Sequence, residues 1–320
     1  MDPPIDQPGY DIVGDIHGSA AALEHLLHQL GYRASDRSLR HKTRQAVFVG
    51  DLIDRGPDQI RVLSIVRDMI ATGAAYAVMG NHEFNAMAYF TPHPSRPHEH
   101  LRQHTPKHIA QHNEFLKQIG NGSADHADVV AWFATLPLWL DLVDLRVVHA
   151  CWDGSAMAGL ASAVVSPDVL VAASTRGSDA YRWVEHLCKG PEVRLPDGFD
   201  FLDKDGNRRV EARFRWWESR PANFMYSCET PGDVDLPDLA IEAVPVMPYA
   251  DALPVFFGHY WRTWPNIDAT SHTACVDYSA VRGGPLVAYR WSGERTIDPS
   301  HFVAAHAASH VVGPYVAEPV

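Results

Sequence analysis

The sequence contains little cysteine, and the placement of its four cysteines excludes two kinds of stabilised protein. Cys151, Cys188, Cys228 and Cys275 are far apart in the chain, and no two of them form a Cys-x-x-Cys pair. Without such a pair a thiolate zinc site is not expected, and a chain of 320 residues with so few cysteines is not a disulfide scaffold. The pattern favours reduced thiols and predicts a cytoplasmic location.

The chain also lacks long apolar runs and an excess of positive charge. No apolar segment approaches the ~18 residues that a membrane helix needs. Residues 1–10 have no basic stretch followed by an apolar core, so we predict neither a secretory signal nor a membrane partner. The formal net charge is −12, which repels nucleic acid. An anionic substrate would therefore need a strong local cation, and a bound metal would supply one.

Apolar segments and glycines predict alternating strands and helices in the first third of the chain. Strands at 10–13, 46–49 and 74–79 each end in a glycine, with helices at 20–30 and 58–70 between them. Later strands are predicted at 138–143, 146–149, 254–257, 273–276 and 286–291, the last two forming a closing hairpin. We predict an α/β (α+β) protein with one domain over residues 1–320. Residues from about 190 to 248, rich in Pro, Gly, Asp and Arg, would form an inserted cap.

Polar side chains follow each of the three glycine-ended strands. In Gly14-Asp15-Ile16-His17-Gly18 the Asp and His are two residues apart, so in extended backbone their side chains leave on the same side. Gly50-Asp51 and Gly80-Asn81-His82 repeat the layout after the next two strands. Open α/β sheets place their ligand sites at the carboxyl ends of strands, and Asp and His are ligands suited to Mn, Fe or Zn. The sequence therefore predicts a metal site at this edge.

The same motifs resemble those of a known family. GDIHG at 14–18, GDLIDRG at 50–56 and GNHE at 80–83 resemble the signature of the calcineurin-like metallophosphoesterases. More narrowly they resemble the serine/threonine phosphoprotein-phosphatase branch and its bacterial members, which are related to the symmetrical dinucleoside tetraphosphatases. The resemblance covers about residues 10–150 and 253–291. It implies a central β-sandwich flanked by helices, with two divalent metal ions, manganese before iron or zinc, at the sheet edge.

The resemblance also implies a role for individual residues. Asp15 and His17 would bind the first metal, Asp51 would bridge both metals, and the second metal would be completed by Asn81, His149 and His259. The phosphate would be bound by Arg55, Asn81 and His82. His82 would be the general acid, oriented by Asp54. Hydrolysis would proceed by in-line attack of a hydroxide between the two metals.

The substrate class is less sharply indicated by these residues. A metal-dependent phosphomonoesterase acting on phosphoproteins or small phosphoesters is the leading prediction. Asp54 and Glu83 favour it over the alternative, a symmetrical dinucleoside tetraphosphatase that hydrolyses diadenosine tetraphosphate. A third possibility is an inactive scaffold that binds phosphorylated partners, and the complete ligand set argues against it. No oligomeric state is predicted.

Other features bear on the cleft around the predicted site. The sequence departs from the family pattern at 150–153, after His149, and at 275–278, near the expected cleft, which bears on substrate class more than on chemistry. A second phosphate-binding arginine is usual in the branch, and three residues are candidates: Arg213, Arg215 and Arg220. The histidines at 100, 104, 108 and 112 are predicted to line a solvated helix face. The aromatic pair at 216–217 is predicted to serve packing rather than base stacking.

Overall fold

The computed structural model of the chain describes residues 9–35, 37–202, 208–218, 222–230 and 234–306. Its strands are, in chain order, β1 (Gly9–Val13), β2 (Arg33–Ser35), β3 (Ser38–Arg40), β4 (Arg44–Phe48), β5 (Ala75–Ala77), β6 (Trp139–Asp141), β7 (Arg146–Val148), β8 (Glu192–Arg194), β9 (Phe201–Leu202), β10 (Arg208–Arg209), β11 (Glu211–Phe214), β12 (Cys228–Glu229), β13 (Val255–Phe257), β14 (Thr273–Cys275), β15 (Leu286–Trp291) and β16 (Phe302–Ala305). Its α-helices are α1 (Ala20–Leu30), α2 (Gln59–Ala71), α3 (Asn81–Phe90), α4 (Pro106–Ile119), α5 (Ala124–Phe133), α6 (Gly154–Leu160), α7 (Pro167–Ala173), α8 (Asp179–Lys189) and α9 (Phe224–Ser227). Short 3-10 helices cover Ala280–Arg282 and Pro299–His301.

Two mixed sheets form the centre of the protein. The first has the order β16-β15-β1-β4-β5. Strands β1, β4 and β5 are parallel, whereas β15 is antiparallel to both of its neighbours, β1 and β16. The second has the order β14-β13-β7-β6, in which only β6 is antiparallel. A fully buried apolar cluster draws Ile12 and Val47 from the first sheet and Val147 and Phe256 from the second. This arrangement confirms the predicted α/β sandwich.

Local sequence signals account for the ends of the first helices. Helix α1 ends at Gly31, whose φ of 99° is a left-handed conformation that favours glycine. Helix α2 begins after Asp58, whose carboxylate accepts a hydrogen bond from the backbone N–H of Arg61. The apolar faces of both helices pack into a second core cluster, which includes Leu23 and Val62. Both helices match their predicted bounds to within one residue.

The predicted hairpin of strands 273–276 and 286–291 is wrong. Strand β14 lies parallel to β13 in the second sheet, whereas β15 lies antiparallel to β1 in the first. Successive residues of β15 enter different cores, with Val287 between the sheets and Ala288 on the helix side. The strand is therefore central, and the chain between β14 and β15 crosses from one sheet to the other.

Part of the predicted insertion forms a small antiparallel sheet of β12, β11 and β8. The adjacent Trp216 and Trp217 are both buried, and the indole N–H of Trp216 donates to the carbonyl oxygen of Ala150 at 2.9 Å. The two indoles pack on Phe257 of β13, as predicted for packing residues. The extent of the cap, 190–248, stays a prediction. Among the described residues, no helix is long and apolar enough to span a membrane.

Candidate metal centre

The ends of five strands bring the predicted ligands to one place. Asp15 and His17 follow β1, Asp51 follows β4, and Asn81 opens α3 after β5. In the second sheet, His149 follows β7 and His259 follows β13. All six side chains are buried, with 8% or less of each exposed. The centre therefore lies where the carboxyl ends of the parallel strands of both sheets meet.

Tight backbone approaches require glycine beside two of these ligands. A methyl group on Gly80 would lie 2.3 Å from the backbone nitrogen of Asp51, and one on Gly258 would lie 2.0 Å from Oδ1 of Asp15. Such contacts are too short for any side chain, so both glycines are fixed by the site. The recurring glycines of the motifs thus have a steric cause.

Strained backbone is concentrated at the same site. Among the described residues, nine non-glycine residues have a positive φ. Six of them surround the centre: His17 (46°), Asp51 (49°), Asp54 (68°), Arg55 (69°), His259 (71°) and Trp261 (45°). Such conformations cost of order 1–3 kcal/mol each and persist where the surrounding structure imposes them. Their grouping marks a functional site on grounds independent of the side-chain chemistry.

Potential donor atoms form two groups that share Asp51. His17, Asp51 and His82 have donor atoms within 4.8 Å of one another, and so do Asp51, His149 and His259. The two Asp51 oxygens point to different groups, since Oδ2 lies 3.5 Å from Nε2 of His17 and Oδ1 lies 3.4 Å from Nε2 of His149. The geometry suits a carboxylate shared by two cations.

The remaining two predicted ligands flank these groups. Oδ1 of Asn81 lies 3.3 Å from Nε2 of His149. The carboxylate of Asp15 accepts the backbone N–H of His259 at 3.1 Å. The structure thus brings together all six side chains that the sequence nominated.

The ring orientations and burial of the histidines fit metal ligands. Nδ1 of His17 donates to the carbonyl oxygen of Ile53 at 2.9 Å, and Nδ1 of His149 donates to that of Val49 at 2.7 Å. These bonds fix the tautomer that leaves Nε2 as a lone-pair donor. Nε2 of His259 is buried and has no hydrogen-bond partner. An orphaned buried nitrogen is costly unless a cation occupies its lone pair.

Charge at the centre favours added cations. Burial raises the pKa of Asp15 well above its usual range, and the nearby Asp277 carboxylate raises it further. Burial lowers the pKa of His17 to about 3 and that of His259 well below its usual range, so both imidazoles are neutral. Neutral imidazoles and repelling carboxylates are what a divalent cation stabilises. The residues present fit a pair of oxygen- and nitrogen-liganded metals.

His82, a member of the first group, lies next to Asp54 and Arg55. Nδ1 of His82 lies 2.5 Å from Oδ2 of Asp54, and Nε2 of the same ring lies 3.1 Å from Nη2 of Arg55. Nη1 of Arg55 lies 3.0 Å from Nε2 of His17. Burial would raise the pKa of Asp54, but hydrogen bonds from His112 and His82 hold it below its usual range. Asp54 is therefore an ionised carboxylate that aims the His82 ring at the metal-ligand groups.

The family described as calcineurin-like phosphoesterase matches residues 10–223. The chain belongs to the calcineurin-like phosphoesterases. The family membership predicted from the sequence motifs is thus confirmed, and the described residues include two groups of His and Asp side chains that could hold metal ions.

Similar proteins span more than one substrate class. An asymmetrical bis(5'-nucleosyl)-tetraphosphatase, PrpE, from Oceanobacillus iheyensis is 32% identical over 141 residues, covering 44% of this chain and 54% of the relative. The PrpE of Halalkalibacterium halodurans is 43% identical over 74 residues, covering 23% and 30% respectively. The chain spans about half or less of the length of these curated relatives. A serine/threonine phosphatase from Saccharomyces cerevisiae with similarity to human PP5 shares the fold at 13% identity, with a TM-score of 0.51 and coverage of 96% and 82%.

The prediction that the four histidines from 100 to 112 line one solvated helix face is wrong, because α4 begins only at Pro106 and His112 is buried. His112 is 4% exposed, and its Nδ1 donates to Oδ1 of Asp54 at 2.7 Å. It lies on the same face of α4 as the buried Phe115, Leu116 and Ile119. That helical phase with apolar residues was the sequence signal for burial. Asp54 is therefore held by two histidines rather than one.

Of the candidate second arginines, Arg213 lies at the centre. Its guanidinium is 5.7 Å from the ring of Tyr260, and its charge contributes to the lowered pKa of His259. Arg215 instead pairs with Glu218 and Glu229, each at 3.0 Å. Arg220 lies outside the described residues.

The sequence analysis did not nominate Trp261 and Arg282, which lie next to Arg55. The Arg282 guanidinium lies 4.2 Å from the centre of the Trp261 indole. Trp261 follows the predicted ligand His259 by two residues, and this spacing was the only sign in the sequence that it lies near the site. Arg282 sits in a 3-10 turn after β14 and only tertiary structure brings it here.

Proposed function

We propose that this phosphoesterase hydrolyses phosphate monoesters with poor leaving groups, of the phosphoserine type, by direct attack of water. The observation that carries the proposal is the hydrogen-bonded pair of Asp54 and His82 beside Arg55 and two metal-ligand groups. A positioned acid is most useful when the leaving group is an unstable alkoxide. Phosphoserine and phosphothreonine in proteins, and small alkyl phosphates, have such leaving groups.

Six residues would hold two divalent cations, with manganese our first choice and iron or zinc the alternatives: Asp15, His17, Asp51, Asn81, His149 and His259. When bound, two such cations offset the phosphate charge and lower the pKa of the attacking water. The donor set has no sulfur, in keeping with metals that prefer oxygen and imidazole ligands.

The protein's own side chains bind the phosphate and move the proton. The Arg55 fork presents two N–H groups to phosphate oxygens, a geometry that suits bidentate binding. The amide of Asn81 and the guanidinium of Arg213 offer further N–H donors to the phosphate. His82 donates the proton from Nε2 to the leaving oxygen, while Asp54 accepts from Nδ1 and holds the ring in place. The proton transfer therefore depends on Asp54 as much as on His82.

Glu83, which with Asp54 favours the phosphomonoesterase in the sequence motifs, has a structural position in the site. Its carboxylate is buried and accepts the backbone N–H groups of Gly80, Asp51 and Leu52 at 2.8–2.9 Å. It therefore supports the loop that carries Asp51.

Dinucleoside tetraphosphate hydrolysis is the second candidate function. The printed names of the curated relatives favour it, although they specify the asymmetrical enzyme and the sequence alternative was the symmetrical one. One panel separates the two functions. Chelator-treated protein would be assayed with a phosphoserine peptide, nitrophenyl phosphate and diadenosine tetraphosphate, each with Mn, Zn or Mg.

We expect hydrolysis of the peptide and of nitrophenyl phosphate, with the highest rate in Mn. Hydrolysis confined to diadenosine tetraphosphate would establish the second candidate instead. Absence of hydrolysis of all three substrates with every metal would refute both.

A further inference from the structure

Three arginines from distant parts of the chain surround the indole of Trp261. The guanidinium carbons of Arg282, Arg55 and Arg213 lie 4.2, 5.2 and 5.9 Å from the centre of its ring. Arg55 lies in the loop after β4, Arg213 in β11 and Arg282 in the turn after β14. Because the three come from separate segments, their convergence is a property of the folded site.

These three arginines differ from a neighbouring arginine in their ion pairing. Arg262 pairs with Glu229 and Asp268 at 2.6 Å each. In the described part of the chain, by contrast, no carboxylate forms an ion pair with Arg55, Arg213 or Arg282. In a protein of net charge −12, carboxylates are plentiful, so a group of three unpaired cations is not a consequence of composition. Like charges held together raise the potential for an anion.

The backbone presents Trp261 and Arg282 on one frame. Trp261 has a φ of 45°, which bulky residues rarely adopt. Oδ2 of the buried Asp277 accepts the backbone N–H of Trp261 at 2.9 Å, and Oδ1 accepts that of Ser279 at 2.9 Å. Asp277 thereby ties the Trp261 loop to the turn that carries Arg282. The strained backbone of Trp261 and the two hydrogen bonds to Asp277 therefore fix Trp261 and Arg282 relative to the metal-ligand groups.

The three arginines divide into two positions. Arg55 contacts His17 and His82, and the charge of Arg213 adds to burial in lowering the pKa of His259. Both arginines are therefore near the predicted metal ligands and would bind the phosphate that is cleaved. Arg282 is exposed and is the nearest of the three to the indole of Trp261. Its guanidinium and that of Arg55 are both within about 5 Å of the indole centre, so they can bind neighbouring anionic groups of one molecule.

We propose that Trp261 and Arg282 form a second phosphate subsite, and that the preferred substrate carries a second phosphate close to the one that is hydrolysed. This inference rests on phosphoester hydrolysis at this centre, which both candidate functions share, and it names the substrate class for the same site. A planar guanidinium matches two phosphate oxygens, and the indole holds its plane in position. The second phosphate is linked either through an ester, as in a bisphosphate, or through an anhydride, as in a nucleoside polyphosphate.

The test compares matched substrates in wild type, Arg282→Ala and Trp261→Leu. Adenosine 3'-monophosphate against adenosine 3',5'-bisphosphate forms the ester arm, and adenosine 5'-monophosphate against diadenosine tetraphosphate forms the anhydride arm. Arg295→Ala removes an exposed arginine elsewhere and serves as the charge control. We expect Arg282→Ala to raise KM about tenfold for the two-phosphate substrate of one arm, the scale of a charge-assisted hydrogen bond. KM for the monophosphates, and kcat for all, should change less than about twofold.

Binding is measured as well, so that the subsite can be tested even if no substrate is hydrolysed. Calorimetric titration of metal-free protein with each compound should show the same loss of affinity in Arg282→Ala, confined to the two-phosphate compounds. If wild type hydrolyses nothing yet shows this selective binding, the proposed function falls and the subsite stands. If wild type hydrolyses both members of a pair and Arg282→Ala affects them equally, or affects neither, the subsite is refuted and the hydrolase remains.

Discussion

Removal of the His82 imidazole should separate proton donation from phosphate binding. In His82→Ala, Asp54 loses the partner at 2.5 Å, while the six predicted metal ligands themselves are unaltered. An alkoxide leaving group needs a proton in the transition state, whereas nitrophenolate is already a stable anion. The variant should therefore hydrolyse a phosphoserine peptide far more slowly than wild type, with a much smaller effect on nitrophenyl phosphate.

The expected size follows from the general acid role. General acid catalysis contributes about 10²–10⁴-fold, which is about 2.7–5.4 kcal/mol of transition-state stabilisation. We expect kcat for the peptide to fall by that factor and kcat for nitrophenyl phosphate by less than about tenfold. Asp54→Asn should show a milder form of the asymmetry. An amide can accept from only one of the two histidines that Asp54 now binds, and its N–H₂ group opposes the other.

Both substrates would be assayed under saturating metal, with kcat measured for wild type, His82→Ala and Asp54→Asn. His126→Ala is a matched control, since His126 is a buried histidine of the neighbouring helix α5 whose ring meets Phe115 edge to face and does not contact Asp54. Its losses should be equal on the two substrates. Equal losses in His82→Ala would mean that His82 binds phosphate, and the reasoning about proton donation would be wrong.

Three further predictions concern the residues around this pair. Asp51→Asn removes the charge shared by both ligand groups, so metal content and hydrolysis should fall together, and retention of both by the variant in metal analysis and assay would contradict the bridging role. His112→Leu leaves a buried oxygen of Asp54 without its donor, which should cost about 1.5–3 kcal/mol in denaturant unfolding; His112→Asn keeps an N–H donor and should recover most of it, and equal losses would show that packing alone matters. Burial raises the pKa of Glu83 to about 7, and the folded state then holds that proton more tightly than the unfolded state. The melting temperature of chelated wild type, relative to that of chelated Glu83→Gln, should therefore fall as pH rises from about 4.5 to about 7, since the buried His17 and His259 titrate in both proteins and cancel in the comparison. Added metal should reduce this fall by offsetting the buried negative charge, and a difference that stays flat without metal would refute the shift.

Part of the site could be predicted from local sequence signals. Asp15, Asp51 and Asn81 were predictable because each follows a glycine at the end of a strand, and parallel strands bring such positions together. His149 and His259 were nominated only through the family resemblance, since a lone histidine after a strand has no local signature. The structure brings all five together with His17 because both sheets end at one edge.

The residues that escaped prediction depend on packing between distant segments. The spacing of four from residue 100 to 112 predicts one helix, whereas α4 begins at Pro106 and the buried face of this shorter helix includes His112. The partner of His112, Asp54, is 58 residues away in sequence. Arg282 meets Trp261 only because β14 and β15 lie in different sheets, and the predicted hairpin placed that turn elsewhere.

The central claim is that two divalent cations bound by this centre are required for phosphoester hydrolysis. The most direct test is to strip the protein with a chelator, reconstitute it with manganese, remove free metal, and measure metal per chain by mass spectrometry alongside hydrolysis. We predict that hydrolysis is lost on chelation and returns as occupancy approaches two ions per chain. Full hydrolysis in the stripped protein, or at an occupancy of one ion or fewer, would contradict the claim.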